Sequence, residues 1–197
     1  MEQPIEIREQ VKEVSVDMWG GFPKVIRKVF PNAKIVIDRF HVMKMVNKAL
    51  NDLRKKLGVT YKKSRYLLLK NGADLNEEQR DELMFVLSLS PTLNIAYEMK
   101  EDFIAIYEKS RTPGAGGKKI KKWLQGARIF WPELCKTILK HMSEISNYFI
   151  SRLTNGFIEG VNNKIKLIKR QGYGFTNMKN FRARLMASFR HRPSSSP

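Results

Sequence analysis

The sequence predicts an α/β chain that is mostly helical, with a compact β-α-β unit near its start. Three observations carry this. Two short apolar runs, Val14–Asp17 and Lys34–Asp38, flank a segment of helical period. From Val42 onward apolar residues step by threes and fours. The 197 residues are 42% hydrophobic and 10% aromatic, enough apolar material for a core despite a net charge of +18.

Residues 5–13 carry a helix-like mixture of charges, and Val14-Ser-Val-Asp17 then reads as a strand ending in a carboxylate. Gly20-Gly21 breaks the pattern. Phe22, Val25, Ile26, Val29 and Phe30 fall on one face of a helix, which Pro31-Asn32 stops. Lys34-Ile-Val-Ile-Asp38 is a second strand, so the two pair in parallel through a right-handed crossover. Both aspartates then lie at carboxyl ends of strands, where open α/β sheets place their sites.

Met43, Val46, Leu50, Leu53 and Leu57 mark the next helix, closed by Gly58. Asn76 caps a helix reaching about Leu89, with Glu77, Glu78 and Asp81 in its first turns. Pro91 opens another, with Leu93, Ala96, Tyr97, Phe103, Ile104 and Tyr107 on its apolar side. Residues 111–117 (Arg-Thr-Pro-Gly-Ala-Gly-Gly) read as a loop and basic hinge, followed by a basic helix over 118–128 and a further helix over about 132–148. Gly114-Ala-Gly-Gly-Lys118 is not a nucleotide-binding loop, since it follows a helix and has Lys119 where a magnesium-binding hydroxyl belongs.

No run of apolar residues is long enough for a membrane span and no signal peptide is evident, so a soluble intracellular protein is expected. Cys135, the sole cysteine, reads as a buried thiol and rules out an intramolecular disulfide and a cysteine-built zinc site. His141 and His191 have no ligand-spaced partners, and Trp19, Trp123 and Trp131 read as packing residues, although Trp123 among lysines could stack on a base.

The charge is uneven. Residues 1–111 carry 20 basic and 16 acidic groups, whereas residues 112–197 carry 17 basic and three acidic, Glu133, Glu144 and Glu159. A polyanionic partner contacting the C-terminal part follows. There, Ile158, Val161, Ile165 and Ile168 form an apolar helix stripe, and Glu159, Asn162, Asn163, Lys166 and Arg170 the opposite one. A lone glutamate near a helix start is ordinarily a dipole partner. In so positive a field, however, Glu159 would be ionised and able to bind a hard cation beside a phosphate backbone. With Asp17 and Asp38 it suggests metal-ion chemistry on phosphodiesters, though Asp38 serves equally well as a helix cap.

Three segments, Val14-Ser-Val-Asp-Met-Trp-Gly-Gly-Phe22, Phe30-Pro-Asn-Ala-Lys-Ile-Val-Ile-Asp-Arg-Phe-His-Val42 and residues 151–175 with Thr154-Asn-Gly-Phe-Ile-Glu159, resemble the DDE-type transposases of bacterial insertion sequences, specifically the ISL-three family. The resemblance implies an RNase H-like core in which three acids hold two Mg2+ (or Mn2+) ions for DNA strand cleavage and joining. Asp17 matches the second acid and Glu159 the third, and both would be metal ligands. Asp38-Arg-Phe-His41 is similar to a signature associated with activity, which makes His41 a site candidate.

The implied organisation is a partial RNase H-like core over 1–41, an all-helical insertion over 42–151, core helices carrying Glu159 over 152–192, and a disordered tail over 193–197. The implied partners are DNA, both transposon ends and target, with self-association and no membrane. The setting would be cytoplasmic and nucleoid-associated. DNA contacts are expected from Lys118, Lys119, Lys121, Lys122, Asn162, Asn163, Lys164, Lys166, Lys169, Arg170, Arg182 and Arg184.

Nothing before Asp17 supplies the family's first acid, and the N-terminal DNA-recognition region has no counterpart, so the chain reads as the C-terminal part of a transposase, inactive alone. Its first strand should have an unpaired edge, favouring association or poor solubility. The alternative is a non-catalytic basic helical protein that binds DNA or RNA, or inhibits transposition; a structural protein dimerising through the Met43–Leu57 stripe is set aside, because fifteen residues are too few for a coiled coil and a core-facing helix accounts for the stripe.

Overall fold

The computed structural model describes residues 3–17, 21–152, 154 and 156–190, without the side chains at 22, 157–159 and 190. It divides into two compact units, residues 1–154 and 155–197. After a short helix α1 (Ile5–Glu9), the first unit runs β1 (Glu13–Val16), α2 (Phe22–Val29) and β2 (Lys34–Ile37). The strands pair in parallel, with Val14 opposite Ile35 and Val16 opposite Ile37. The Lys34 N–H donates to the Lys12 carbonyl at 2.9 Å and the Asp38 N–H to that of Val16 at 3.1 Å, so even-numbered residues of β1 face β2. Among the described side chains of α2 Ile26 is buried, whereas Val25, expected on its inner face, is exposed. Among the described residues the sheet consists of these two strands.

Seven further α-helices complete the described part of the first unit around one continuous core. In α3 (Arg39–Lys56) Val42, Val46 and Leu50 are buried and the helix packs against α6 (Pro91–Lys109). The apolar stripe of α3 is therefore spent on the chain's own core, not on a dimer. Gly58 closes α3 at φ 69, a left-handed conformation in which Cβ-bearing residues are strained. Next come α4 (Ser64–Leu69), a 3-10 turn (Gly72–Asp74) and α5 (Glu77–Ser88). Asn76 and Gln79 form a reciprocal capping box on α5.

Central α6 buries residues on two sides, against α3 and against α7 (Pro113–Ala127). That assignment corrects the expected loop over 111–117. Thr112 caps the helix by accepting the Ala115 N–H at 3.3 Å, Pro113 suits its first turn, and the glycines allow close packing. A Cβ on Gly116 would come within 2.2 Å of the Phe149 ring.

The helix expected over 132–148 is two helices, α8 (Pro132–Lys140) and α9 (Met142–Ser151), divided at His141, whose φ of −109° and ψ of 21° leave the helical region. Helix α9 packs against both α7 and β2, and its Asn147 Nδ2 donates to the Ile35 carbonyl at 2.9 Å. Since odd-numbered residues of β2 point away from β1, this amide caps the outer edge of β2.

Aromatic rings fill the space between α6, α7 and α9. Phe103 lies 4.5 Å from Trp123, and Tyr107 stacks on Phe149 at 5.4 Å. Trp123 also donates through Nε1 to the Met99 carbonyl at 2.7 Å, so it is a core residue and not a base-stacking one. Cys135 is 1% exposed, as expected of a structural thiol, and burial raises its pKa.

The second unit is a helical hairpin of α10 (Gly156–Gln171) and α11 (Met178–Arg190). Ile168 is buried, Val161 and Ile165 are half-buried, and Phe175 meets Phe181 at 4.9 Å. The turn passes through Tyr173 and Gly174, both at positive φ.

Candidate functional site

Parallel pairing carries both strands' carboxyl ends to one end of the sheet. Asp17 is the first residue beyond β1 and Asp38 the first beyond β2, one step past the Val16–Ile37 pair. Asp17 is half-buried and Asp38 only 3% exposed. The Asp38 carboxylate accepts the Phe40 N–H at 3.0 Å and caps α3, where the helix dipole favours its charge. The helix-cap role considered for Asp38 is therefore real. His41 follows in the first turn of α3; its N–H donates to the Asp38 carbonyl at 3.1 Å, and its ring meets that of Phe40 edge-on at 5.6 Å.

A small pocket at this end of the sheet is lined by Asp17, Val16, Ile35, Ile37, Pro23, His141 and Glu144. Glu144, in the first turn of α9, pairs with Arg27 of α2 at 3.7 Å. Sequence reasoning did not associate Glu144 or His141 with Asp17, and no local signal could have done so, because the packing of α9 on β2 is what brings them there. Among the described residues no three His, Cys, Asp or Glu side chains are grouped so as to hold a metal ion.

The other predicted residues are distributed over both units. Glu159 belongs to α10, and its side chain lies outside the described residues. On the same helix Asn162, Asn163, Lys164, Lys166, Lys169 and Arg170 are exposed. Lys164 donates to the Ser188 carbonyl at 2.6 Å and lies over the Phe189 ring, so it also ties α10 to α11. Arg182 and Arg184 are exposed on α11. In the first unit Lys118, Lys119, Lys121 and Lys122 are exposed on α7; Lys119 and Lys122 join Lys109 and Asp102 around a groove of about 410 Å3 between α6 and α7. No described helix is long and apolar enough to cross a membrane.

Comparison with known proteins gives the context for these residues. Residues 1–185 match the family model for ISL3-type DDE transposases, described as "Transposase". The chain is 26% identical over 196 residues to the transposase for insertion sequence element IS1001 of Bordetella parapertussis, covering 92% of this chain and 48% of that protein. It is 28% identical over 222 residues to the transposase for insertion sequence element IS1557 of Mycobacterium tuberculosis, covering 94% and 49%. A Lactococcus lactis protein named ATP-dependent protease is 34% identical over 122 residues, 59% of this chain and 36% of that one. In this chain the glycine-rich stretch Gly114–Lys118 lies within α7. No solved structure matches. The chain spans about half the length of the two transposases it matches. With the family model covering nearly the whole of it, the chain belongs to the ISL3 family of DDE transposases.

Proposed function

We propose that this chain supplies the second and third acids of a transposase site for DNA strand cleavage and joining, built on an RNase H-like core. The observation that carries this reading is the position of Asp17 at the carboxyl end of β1, beside the helix-capping Asp38, in a chain of the transposase family. Residues 1–41 are the core portion around Asp17, 42–151 the helical insertion, 152–192 the return to the core with Glu159, and 193–197 a tail.

The donor chemistry fits Mg2+ or Mn2+: Asp17 and Glu159 are hard oxygen donors, and such ions complete their shells with water and phosphate oxygens. Bound there, the metal would supply activation of an attacking hydroxyl and stabilisation of a leaving oxygen. Asp38 is committed to capping α3 and so fixes His41 in the first turn of that helix, next to the acid end of the sheet. The exposed amide and cationic stripe of α10 and the lysines of α7 bind the phosphate backbone.

Two acids are fewer than the family's three, so residues 1–197 alone do not transfer strands. Mn2+ titration of the purified chain, followed by electron paramagnetic resonance, tests the assignment. Asp17→Ala and Glu159→Ala should each weaken binding at least tenfold, about 1.4 kcal/mol. Unchanged Mn2+ affinity in both variants refutes the ligand assignment. Robust Mg2+-dependent cleavage by the purified chain, lost in Asp17→Ala, refutes the predicted inactivity.

A further inference from the structure

The weak net charge of residues 1–111 conceals a strongly basic segment. Residues 39–70 contain ten Lys and Arg against one carboxylate, Asp52, while residues 1–38 are balanced and residues 71–111 are acidic. Folding gathers part of this charge around two grooves. The first, of about 450 Å3, lies between α3 and α4 and is lined by Phe40, Met43, Lys44, Asn47, Arg65 and Leu69, among others. The second, of about 630 Å3, adjoins it through Arg65 and Leu69 and adds Lys63, Tyr66 and Lys70.

The chemistry of this surface is mixed in a particular way. Phe40 is 57% exposed and Tyr66 is also exposed, so each groove offers an aromatic ring to solvent. Lys70 Nζ lies 5.5 Å from the Tyr66 ring centroid. Lys48 and Lys63 are engaged by Asp52 and Glu82, at 2.9 and 3.2 Å, whereas Lys44 and Arg65 have no carboxylate partner among the described residues. Rings that accept bases and cations that track phosphates are the ingredients of a single-strand track. A duplex backbone would engage the cations but leave the rings unused.

We infer that the α3–α4 grooves bind an unpaired DNA strand, with Phe40 and Tyr66 stacking on bases and Lys44 and Arg65 contacting phosphates. The track begins in the first turn of α3, directly after Asp38, and would receive a strand separated at the acid end of the sheet. The inference rests on the DNA-processing reading above but assigns a surface that reading does not use.

Fluorescence anisotropy with a labelled single strand of about 16 nucleotides, and with its duplex, tests this on the purified chain. Lys44→Gln/Arg65→Gln should weaken single-strand binding about tenfold and reduce the salt slope by about 1.4, the value for two lost phosphate contacts. Phe40→Ala should also weaken single-strand binding about tenfold, and it should abolish the quenching of a 2-aminopurine base in the strand. Duplex binding should be unchanged in Phe40→Ala and should fall less than single-strand binding in Lys44→Gln/Arg65→Gln, and circular dichroism verifies folding.

Single-strand affinity unchanged in both folded variants overturns the inference, as does equal loss on single strand and duplex, which would mark a plain backbone site. If the wild-type chain binds neither form, the DNA-processing reading falls with it. Duplex binding by the wild type with no response of single-strand affinity to these substitutions overturns the α3–α4 track alone.

Discussion

Lys100 offers a sharp test of how the helices of the first unit are held together. Its side chain is 0% exposed, in the middle of α6. The ammonium donates to the carbonyls of Leu68 at 3.1 Å and Lys70 at 2.8 Å, pairs with Glu101 at 2.5 Å and lies 4.4 Å from the Tyr97 ring centroid. Glu101 in turn accepts the Gly72 N–H at 3.1 Å. One cation thus ties the end of α4 and the 3-10 turn to α6.

Lys100→Met keeps the volume but leaves two carbonyls without their donor and Glu101 without its cation. Breaking a buried pair in this way costs about 3–5 kcal/mol, a large part of a total stability of about 5–15 kcal/mol. Glu101 is partly exposed, which places the expected loss near 3 kcal/mol, or roughly 6–12 °C in Tm for a chain of this size. Urea unfolding followed by circular dichroism measures it. Combining Lys100→Met with Glu101→Leu should cost less than the two single losses added together, by about 1–3 kcal/mol. A Lys100→Met variant within about 0.5 kcal/mol of wild type, the range of ordinary surface substitutions, or strict additivity with Glu101→Leu, would refute the reasoning.

The glycines of α7 should respond in opposite directions. Gly116→Ala drives a methyl against Phe149 and should destabilise by about 1–3 kcal/mol, whereas Gly114→Ala meets nothing within 4 Å and should stabilise by up to about 1 kcal/mol; thermal melts decide. Burial pushes the pKa of Tyr97 and Tyr107 well above the ordinary value of 10.0. Because the folded state holds those protons more tightly, stability should fall as pH rises above 10, where the unfolded phenols ionise. Absorbance titration should show at least two of the six tyrosines ionising only on alkaline unfolding.

The β-α-β unit was legible because two short apolar runs flank a segment of helical period, and because parallel strands are the compact solution for that order. The end of the sheet that carries the aspartates follows directly. The capping of α5 was legible at Asn76 for the same local reason. Helix α7 was not: Thr-Pro-Gly-Ala-Gly-Gly reads as a loop by propensity. Its helical state depends on Phe149, from a helix much later in the chain, packing where only Gly116 leaves room. Lys100 looks like part of a solvated face until the turn after α4 supplies carbonyls for it.

The sequence by itself determined the family, the two strand-end acids and the polycationic character, since each is written in residue types at short spacing. Tertiary structure alone decided that Glu144 joins Asp17 at that end of the sheet, that Trp123 belongs to the core, and that basic residues of α3 and α4 border adjoining grooves. Charge composition averages over a segment, whereas packing chooses which of its groups meet, and chemistry depends on the groups that meet.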